Sequence, residues 1–270
     1  MPNFGLATLN HSPLHGVPTQ WEAHLDAAAT AGFDGLAPDI FWLRALEAEG
    51  VALETLAAGL RDRGLGCMEV AGIAIGDAET TRTELEENLR YAAALEAEFV
   101  NARVVVPVDD ALVARAAECA RRFGDCGTRV ALEFSRGTKL RSVGEALALA
   151  ESMGEPGVGV TIDTWHFFLH PEGPAWDELA ELPLDRLANV QLSDGVAYGE
   201  GEFGPATMDR RRLPGDGVFD LGRCAEVLAE KGFDGAVVVE VLNAEERAAP
   251  VADFAARAFE ASRRVFRSAS

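Results

Sequence analysis

The sequence has little positive charge, and what there is comes almost entirely from arginine. Lysine and arginine together number 24 against 44 aspartates and glutamates, so the formal net charge is −20. Such a surface repels phosphate backbones, which disfavours nucleic acid as a partner. Lys139 and Lys231 are the two lysines, one past the predicted fifth strand and one in the last turn of a helix. This placement also disfavours a Schiff-base aldolase, which needs a lysine at a strand end.

Cysteine is scarce, and long apolar runs are missing. The four cysteines form no CxxC pair, which indicates reduced, mostly buried thiols in a cytoplasmic protein. No run of about 18 apolar residues occurs, so we expect no membrane span and no membrane partner. The first ten residues, MPNFGLATLN, have no basic region before an apolar one, so we expect no signal peptide.

No Ser/Gly/Pro-rich stretch is long enough to link two domains. The chain has 270 residues and is 48% hydrophobic, which suffices for one large core. The Gly-rich residues 195–217 are the nearest candidate for a linker, but strand-like sequence continues on both sides. We therefore interpret 195–217 as an active-site loop and predict a single domain over 1–270.

Short apolar runs alternate with longer Ala/Leu/Glu/Arg segments that have helical spacing. The runs predict eight strands at residues 3–9, 33–39, 64–72, 99–106, 129–135, 158–163, 187–194 and 235–241. The intervening helices include 19–32, with Thr19 as its N-cap, 40–63 and 244–266. Eight such units predict an α/β fold, a single (β/α)8 TIM barrel. A doubly wound sheet is the alternative, but the first turn, LATLNHSPLHG, lacks GxGxxG.

Polar side chains end the last four predicted strands. They are Glu133 in ALEFS, Asp163 and His166 in TIDTWH, Gln191 and Asp194 in VQLSD, and Glu240 in VVVEVLN. The carboxyl ends of barrel strands meet at one mouth, where three carboxylates repel one another unless a divalent metal neutralises them. Oxygen ligands favour Mn²⁺ or Mg²⁺, with Co²⁺ and Zn²⁺ as alternatives.

Each of these residues also has a structural alternative. Glu133 could pair with an arginine, Asp163 could cap a helix, and Gln191 could be a buried amide. Glu240 lies in VVVEVL, where a lone carboxylate is costly, so we expect a compensating cation. His166 could orient Asp163 or donate a hydrogen bond to a substrate oxygen, and we favour the second role.

Five segments together resemble the sugar-phosphate isomerase/epimerase superfamily, whose members have a xylose-isomerase-like barrel. They are ALEF, IDTWHFF, VQLSDG, RRRLPGDGVFDL and VVVEV, in this order and at this spacing. The resemblance implies that Glu133, Asp163, Gln191 and Glu240 hold one divalent metal ion. It implies that the two glutamates form the acid/base pair. It also implies substrate contacts from His166 and from an arginine ahead of LPGDG, among which Arg212 is favoured over Arg210 and Arg211.

Gln191 departs from the family pattern, because many epimerases have a histidine there. An amide at this position resembles the 3-dehydroshikimate dehydratase branch, but that branch usually has a histidine where Ser135 stands here. The implied chemistry is proton transfer next to the carbonyl of a keto-sugar, polyol or cyclitol, through a metal-stabilised enediolate. Isomerisation or epimerisation is the favoured outcome. Dehydration, of the 3-dehydroshikimate or inosose dehydratase type, is the alternative.

Earlier strand ends supply two further candidates for substrate contact, Glu69 in CMEVAG and Arg103. Arg103 could meet an acidic group of the ligand or pair with a buried acid. A DNA-repair endonuclease would need three metals and several histidine ligands, but the five histidines include none in strands two to five. A non-catalytic barrel stays open because Gln191 is a neutral ligand, and a homodimer is compatible with either interpretation.

Overall fold

A computed structural model describes residues 1–199 and 201–267, and the chain divides into two compact units. The first unit contains Met1–Gly66 and Gln191–Ser270, and the second contains Cys67–Val190. Glu200, within the predicted loop 195–217, lies outside the described residues. The prediction of a single domain over 1–270 stays a prediction.

Nine strands and twelve α-helices follow one another along the described residues. The strands are β1 (Asn3–Ala7), β2 (Gly35–Ala37), β3 (Gly66–Cys67), β4 (Glu69–Ile75), β5 (Phe99–Val104), β6 (Arg129–Glu133), β7 (Val158–Asp163), β8 (Leu187–Leu192) and β9 (Ala236–Val239). The helices are α1 (Trp21–Ala31), α2 (Ile40–Ala48), α3 (Leu53–Asp62), α4 (Ala78–Leu95), α5 (Asp110–Asp125), α6 (Val143–Met153), α7 (Thr164–Phe168), α8 (Trp176–Glu181), α9 (Phe203–Asp209), α10 (Leu221–Glu230), α11 (Ala244–Arg247) and α12 (Val251–Arg267). No helix among the described residues is both long and apolar enough to cross a membrane.

In the first unit, β1 is the central strand of a parallel arrangement. It pairs with β2, Gly5 opposite Gly35, and with β9, Phe4 opposite Val237. Helix α12 packs along α1, and Phe259 of α12 lies edge-on to Phe4 with ring centroids 5.9 Å apart. The last residues of β8, Gln191 and Leu192, lie beside β9 in this unit.

In the second unit, β4, β5, β6 and β7 form a parallel sheet, and the first residues of β8 lie beside β7. Because side chains alternate between the faces of a strand, register shows which residues share a face. One face carries fully buried apolar residues, among them Val100, Leu132 and Val160. The opposite face carries Arg103, Glu133 and Thr161, which lie in one row across β5, β6 and β7.

Several predicted boundaries differ from the structure for local reasons. The third predicted strand is divided into β3 and β4, so the described residues contain nine strands instead of eight. The predicted helix 40–63 is two helices, with Gly50 between them at φ 84°, and the last helix is broken before Pro250. Thr19 is not the N-cap of α1, because that position is Gln20, and the Thr19 hydroxyl instead donates to Glu49.

Candidate metal centre

Three side chains at the ends of β6 and β7 form a compact cluster in the second unit. One ligand atom from each of Glu133, Asp163 and His166 lies within 4.8 Å of the other two. His166 Nε2 is 3.4 Å from Glu133 Oε1 and 3.5 Å from Asp163 Oδ2. The side chains are 12%, 1% and 8% exposed, respectively, so the cluster is largely shielded from solvent.

Asp163 has two roles, one for each carboxylate oxygen. Its Oδ1 accepts a hydrogen bond of 2.8 Å from the backbone N–H of Trp165 and so caps α7. Its Oδ2 faces His166, which follows three residues later on the same short helix. The cap therefore fixes the direction in which the second oxygen points. The helix-cap alternative for Asp163 is confirmed, and its role as a metal ligand stays a prediction.

Aromatic packing holds the helix that carries His166. Trp165 and Phe167, its neighbours in sequence, are almost completely buried. The ring of Phe167 packs edge-on against Phe168 and Trp176, with centroids 5.4 and 5.2 Å apart. These contacts anchor α7 on both sides of His166 and leave its imidazole directed to the carboxylates.

Two carboxylates and one imidazole form a donor set that suits a divalent cation. Carboxylates at this separation repel each other, and a cation removes that repulsion. Among the residues that the structure describes, this is the one group of three or more such side chains close enough to share an ion. The sequence assigned His166 to substrate, whereas its Nε2 lies close enough to both carboxylates to be a third ligand.

Arg103 and Glu69 lie on the same sheet as the cluster but at different heights. Arg103 is opposite Glu133 in register and is exposed. Glu69 is the first residue of β4, level with Phe99, which is four residues before Arg103. It accepts a hydrogen bond of 2.5 Å from Asn189 Nδ2. The structure therefore does not bring Glu69 to the level of Glu133, since four residues span roughly 13 Å of strand.

Gln191 and Glu240 lie in the first unit, near the ends of the neighbouring strands β8 and β9. Both are buried, and the backbone N–H of Glu240 donates to the carbonyl of Leu192 across 3.1 Å. Glu240 Oε2 is 3.1 Å from Arg211 Nη1, in an ion pair whose side chains are 8% and 3% exposed. Arg211 therefore places a positive charge beside the Glu240 carboxylate, whereas the predicted role of Glu240 as a metal ligand stays a prediction.

Arg212, which the sequence favoured as the substrate-binding arginine, is more exposed than Arg211. Its side chain is 41% exposed, and its Nη1 lies 3.9 Å from Glu245 Oε2. Its backbone exchanges two hydrogen bonds with Asp194, Asp194 N to Arg212 O at 2.9 Å and Arg212 N to Asp194 O at 2.8 Å. Because consecutive residues in such a bridge point to opposite sides, Arg211 turns inward and Arg212 outward.

Asp194 organises the loop that follows β8. Its Oδ1 accepts hydrogen bonds from the backbone N–H groups of Gly195 and Phe219, and its Oδ2 accepts one from Gly215. A Cβ at Gly217 would lie 2.2 Å from Asp194 Oδ1, so this position needs glycine. The Asp194 carboxylate of the SDG segment therefore accepts hydrogen bonds from backbone N–H groups in and after the LPGDG segment. The position of Asp194 at a strand end did not predict this role.

Comparison with known proteins identifies the fold. The family described as "Xylose isomerase-like TIM barrel" matches residues 25–268. This match confirms the predicted (β/α)8 class and the resemblance to the sugar-phosphate isomerase/epimerase superfamily.

One curated relative is the inosose isomerase of Halalkalibacterium halodurans, 29% identical over 121 residues. The match covers 44% of this chain and 41% of that protein. RNA polymerase β′ subunits, such as that of Cupriavidus metallidurans, match 43% of this chain at 34% identity. The chain therefore spans less than half of the first relative, and 8% of the length of the polymerase subunits.

Solved structures resemble the chain over nearly its whole length. The IOLI protein with a bound zinc atom has a TM-score of 0.83 and 18% identity, with 98% of each chain covered. The probable 3-DHS dehydratase AsbF from Bacillus anthracis has a TM-score of 0.79 and 13% identity, covering 97% of this chain and 98% of its own. At these identities the likeness shows the fold alone.

Proposed function

The chain belongs to the xylose isomerase-like TIM barrel family, and we propose that it is a metal-dependent isomerase or epimerase of a keto-sugar, polyol or cyclitol. The observation that carries this proposal is the cluster of Glu133, Asp163 and His166 at the ends of β6 and β7. In barrels of this class the chemistry lies at the carboxyl ends of the strands. The inosose isomerase relative and the zinc-bound IOLI neighbour support the same class of reaction and a divalent ion.

The three cluster residues fit a divalent ion by the chemistry of their donor atoms. Glu133 Oε1, Asp163 Oδ2 and His166 Nε2 would hold it. The imidazole nitrogen moves the preference toward Mn²⁺, Co²⁺ or Zn²⁺ relative to Mg²⁺. A bound ion would act as a Lewis acid on adjacent substrate oxygens and so make the neighbouring proton more acidic. The larger set that includes Gln191 and Glu240 stays a prediction.

The chain's own residues would bind the substrate and move the proton. We assign Glu133 the role of base that accepts the proton next to the carbonyl, and Glu240 the role of acid/base partner. Arg211 supplies the counter-charge that keeps a buried carboxylate at Glu240 stable. Arg103, exposed in register beside Glu133, would bind an acidic or hydroxyl group of the substrate.

A dehydratase is the second candidate, and Gln191 favours it. The resemblance to the 3-dehydroshikimate dehydratase branch implies an amide at the position of Gln191. AsbF, a probable dehydratase of this kind, shares the fold. The same proton abstraction followed by departure of a β-hydroxyl would give loss of water instead of isomerisation. The two functions therefore differ in the fate of one hydroxyl group.

The test begins with metal binding. We expect about one equivalent of Mn²⁺ per chain by calorimetric titration of the wild type, and strongly weakened binding in Glu133→Gln. Glu145→Gln is the matched control, since Glu145 is exposed in the same unit and should bind Mn²⁺ as the wild type does. A wild type that takes up no Mn²⁺, Co²⁺ or Zn²⁺ in excess would contradict the proposal and favour the non-catalytic barrel.

The reaction is then identified with keto-sugars, inososes and 3-dehydroshikimate in deuterated water. Deuterium entering a carbon next to the carbonyl, with an isomer or epimer as product, would support the first function. Formation of an unsaturated product with loss of water would support the dehydratase.

A further inference from the structure

The loop after β1 is bonded to the end of β9 through one side chain, that of Asn10. Strand β1 ends at Ala7, and its last register pair with β9 is Leu6 with Val239. Beyond that pair, the Asn10 amide takes the place of a backbone partner. Its Nδ2 donates to the carbonyls of Ala7 and Val239, across 2.8 and 3.0 Å. Its Oδ1 accepts a hydrogen bond of 2.6 Å from the backbone N–H of Val241.

The two contacts with this part of the chain are made by the peptide groups that flank Glu240. The Val239 carbonyl belongs to the peptide group before Glu240, and the Val241 N–H belongs to the one after it. The backbone N–H of Glu240 donates to the Leu192 carbonyl across 3.1 Å, and its carbonyl accepts from Arg211 Nη1 across 3.4 Å. Because each peptide group is planar, holding both of them fixes φ and ψ of Glu240 and hence the direction of its Cα–Cβ bond.

The chemistry of its partners determines the orientation of the Asn10 amide. Carbonyl oxygens accept hydrogen bonds and a backbone N–H donates one, so Nδ2 faces the two carbonyls and Oδ1 faces the N–H. Asn10 and Val241 are 2% and 1% exposed, so these bonds are shielded from water. Loss of the amide would take a buried partner from three backbone groups, which is costly.

The residues on either side of Asn10 hold the loop in place. Thr8 Oγ1 donates to Asp39 Oδ2 across 2.7 Å, and Ser12 Oγ donates to Asp39 Oδ1 across 2.9 Å. Asp39 is also the N-cap of α2. The loop is therefore attached to α2 on both sides of Asn10, which makes the amide a rigid support for the residues that end β9.

We propose that Asn10 is a positioning residue, which holds the Glu240 carboxylate beside Arg211 by fixing the backbone on both sides of Glu240. The carboxylate lies 3.1 Å from Arg211 Nη1 in this arrangement. The consequence for catalysis rests on the proposed function, in which Glu240 is the acid/base partner of Glu133. The location of the carboxylate can be tested without a substrate.

Asn10→Leu removes the amide at nearly constant shape, and Asn88→Leu is the matched control. Asn88 is also buried, but its amide donates to the Glu84 carbonyl within α4, in the second unit. The first measurement is a set of crystal structures of the wild type and both variants. We expect the Glu240 carboxylate to leave hydrogen-bonding distance of Arg211 in Asn10→Leu and to keep its place in Asn88→Leu. A carboxylate that stays beside Arg211 in Asn10→Leu would overturn the inference.

The second measurement compares two rates in deuterated water, with the keto-sugar, inosose or 3-dehydroshikimate that the wild type converts. Proton removal by Glu133 exchanges hydrogen for deuterium in the remaining substrate, whereas product formation also needs Glu240. A misplacement of about 1 Å can lower a rate roughly 100-fold. We therefore expect product formation to fall roughly 10- to 100-fold in Asn10→Leu while exchange continues. Asn88→Leu should keep the wild-type ratio of the two rates.

An equal fall of both rates in Asn10→Leu would show a merely structural amide and overturn the positioning role. If Asn10→Leu does not fold, Asn10→Asp replaces it, because a carboxylate keeps the acceptor for Val241 N–H and removes the donor to the two carbonyls. The same displacement and the same change in the ratio are expected, and their absence would overturn the inference. A wild type that neither exchanges nor converts any of these compounds would contradict the proposed function, whereas the crystal structures would still decide whether Asn10 holds Glu240 in place.

Discussion

Arg211 and Glu240 form a buried ion pair, with Nη1 of the arginine 3.1 Å from Oε2 of the glutamate. The guanidinium also donates through Nε to the carbonyl of Thr207, across 3.1 Å, and through Nη1 to the Glu240 carbonyl. The pair therefore ties the end of β9 to the last turns of α9. The guanidinium beside it stabilises a carboxylate in this apolar setting.

Arg211→Met should destabilise the protein by about 3–5 kcal/mol, because it removes the guanidinium from beside a buried carboxylate. Arg212→Met is the matched control, since that side chain is 41% exposed, and should change the free energy of unfolding by about 0.5 kcal/mol or less. Urea unfolding of the three proteins measures both values. Equal losses in the two variants would mean that burial of the ion pair does not matter.

Much of the sheet and part of the site could be predicted from the sequence, because both depend on short-range patterns. Buried parallel strands are continuous apolar runs, and the carboxyl end of each run locates its polar residue. Glu133 and Asp163 were placed together in this way, and the structure brings their carboxylates into one cluster.

The choice between Arg211 and Arg212 could not be predicted, because it depends on a bridge between distant residues. The RRR segment has no periodicity that would show which arginine points inward. The backbone pairing of Arg212 with Asp194 determines this. The position of His166 is a similar case. Its distance from Glu133 depends on how α7 leaves β7, which the Asp163 cap and the packing of Phe167 determine.

His166→Gln should weaken Mn²⁺ binding by at least about tenfold if Nε2 is a ligand, since it lies within 3.5 Å of both carboxylates. His170→Gln is the control, because His170 is partly exposed and follows α7. Electron paramagnetic resonance of free Mn²⁺ gives the affinities directly. Unchanged affinity in His166→Gln, together with a raised KM, would restore the substrate-contact role.

Asp194→Ala should loosen the loop from Leu213 to Phe219, because the backbone N–H groups of Gly215 and Phe219 lose their acceptor. We expect faster amide hydrogen exchange at Gly215 and Phe219, measured by mass spectrometry of the loop peptides. Asp216→Ala is the control in the same loop, since the Asp216 side chain is exposed. Equal exchange rates in wild type and Asp194→Ala would show that the loop holds its shape without Asp194.

His24 is a buried imidazole that can be expected to make the fold sensitive to acid. Its Nδ1 donates to the carbonyl of Gln20 across 3.1 Å, and its ring packs edge-on against Trp42 and His11. Its Nε2 has no hydrogen-bond partner among the described residues. Burial lowers the pKa of His24 to about 4, from a usual value of 6.5.

The sign of the pH effect follows from this lowered pKa. Above about pH 6.5, His24 is neutral in both states and contributes its full stability. Between pH 6.5 and 4 the unfolded chain binds a proton that the folded protein does not, so the free energy of unfolding falls as the pH falls. The contribution lost by pH 4 is on the order of 3 kcal/mol.

Urea unfolding of wild type and His24→Phe at pH 7.5 and 4.5 tests this directly. Carboxylates also titrate near pH 4.5, so the informative quantity is the difference between the two proteins in how much stability each loses. His24→Phe should lose less than the wild type, whereas His170→Gln, altered at a partly exposed histidine, should lose as much as the wild type. If His24→Phe and the wild type lose the same amount, the acid sensitivity arises elsewhere. His11, whose pKa burial also lowers, would then be the next residue to replace.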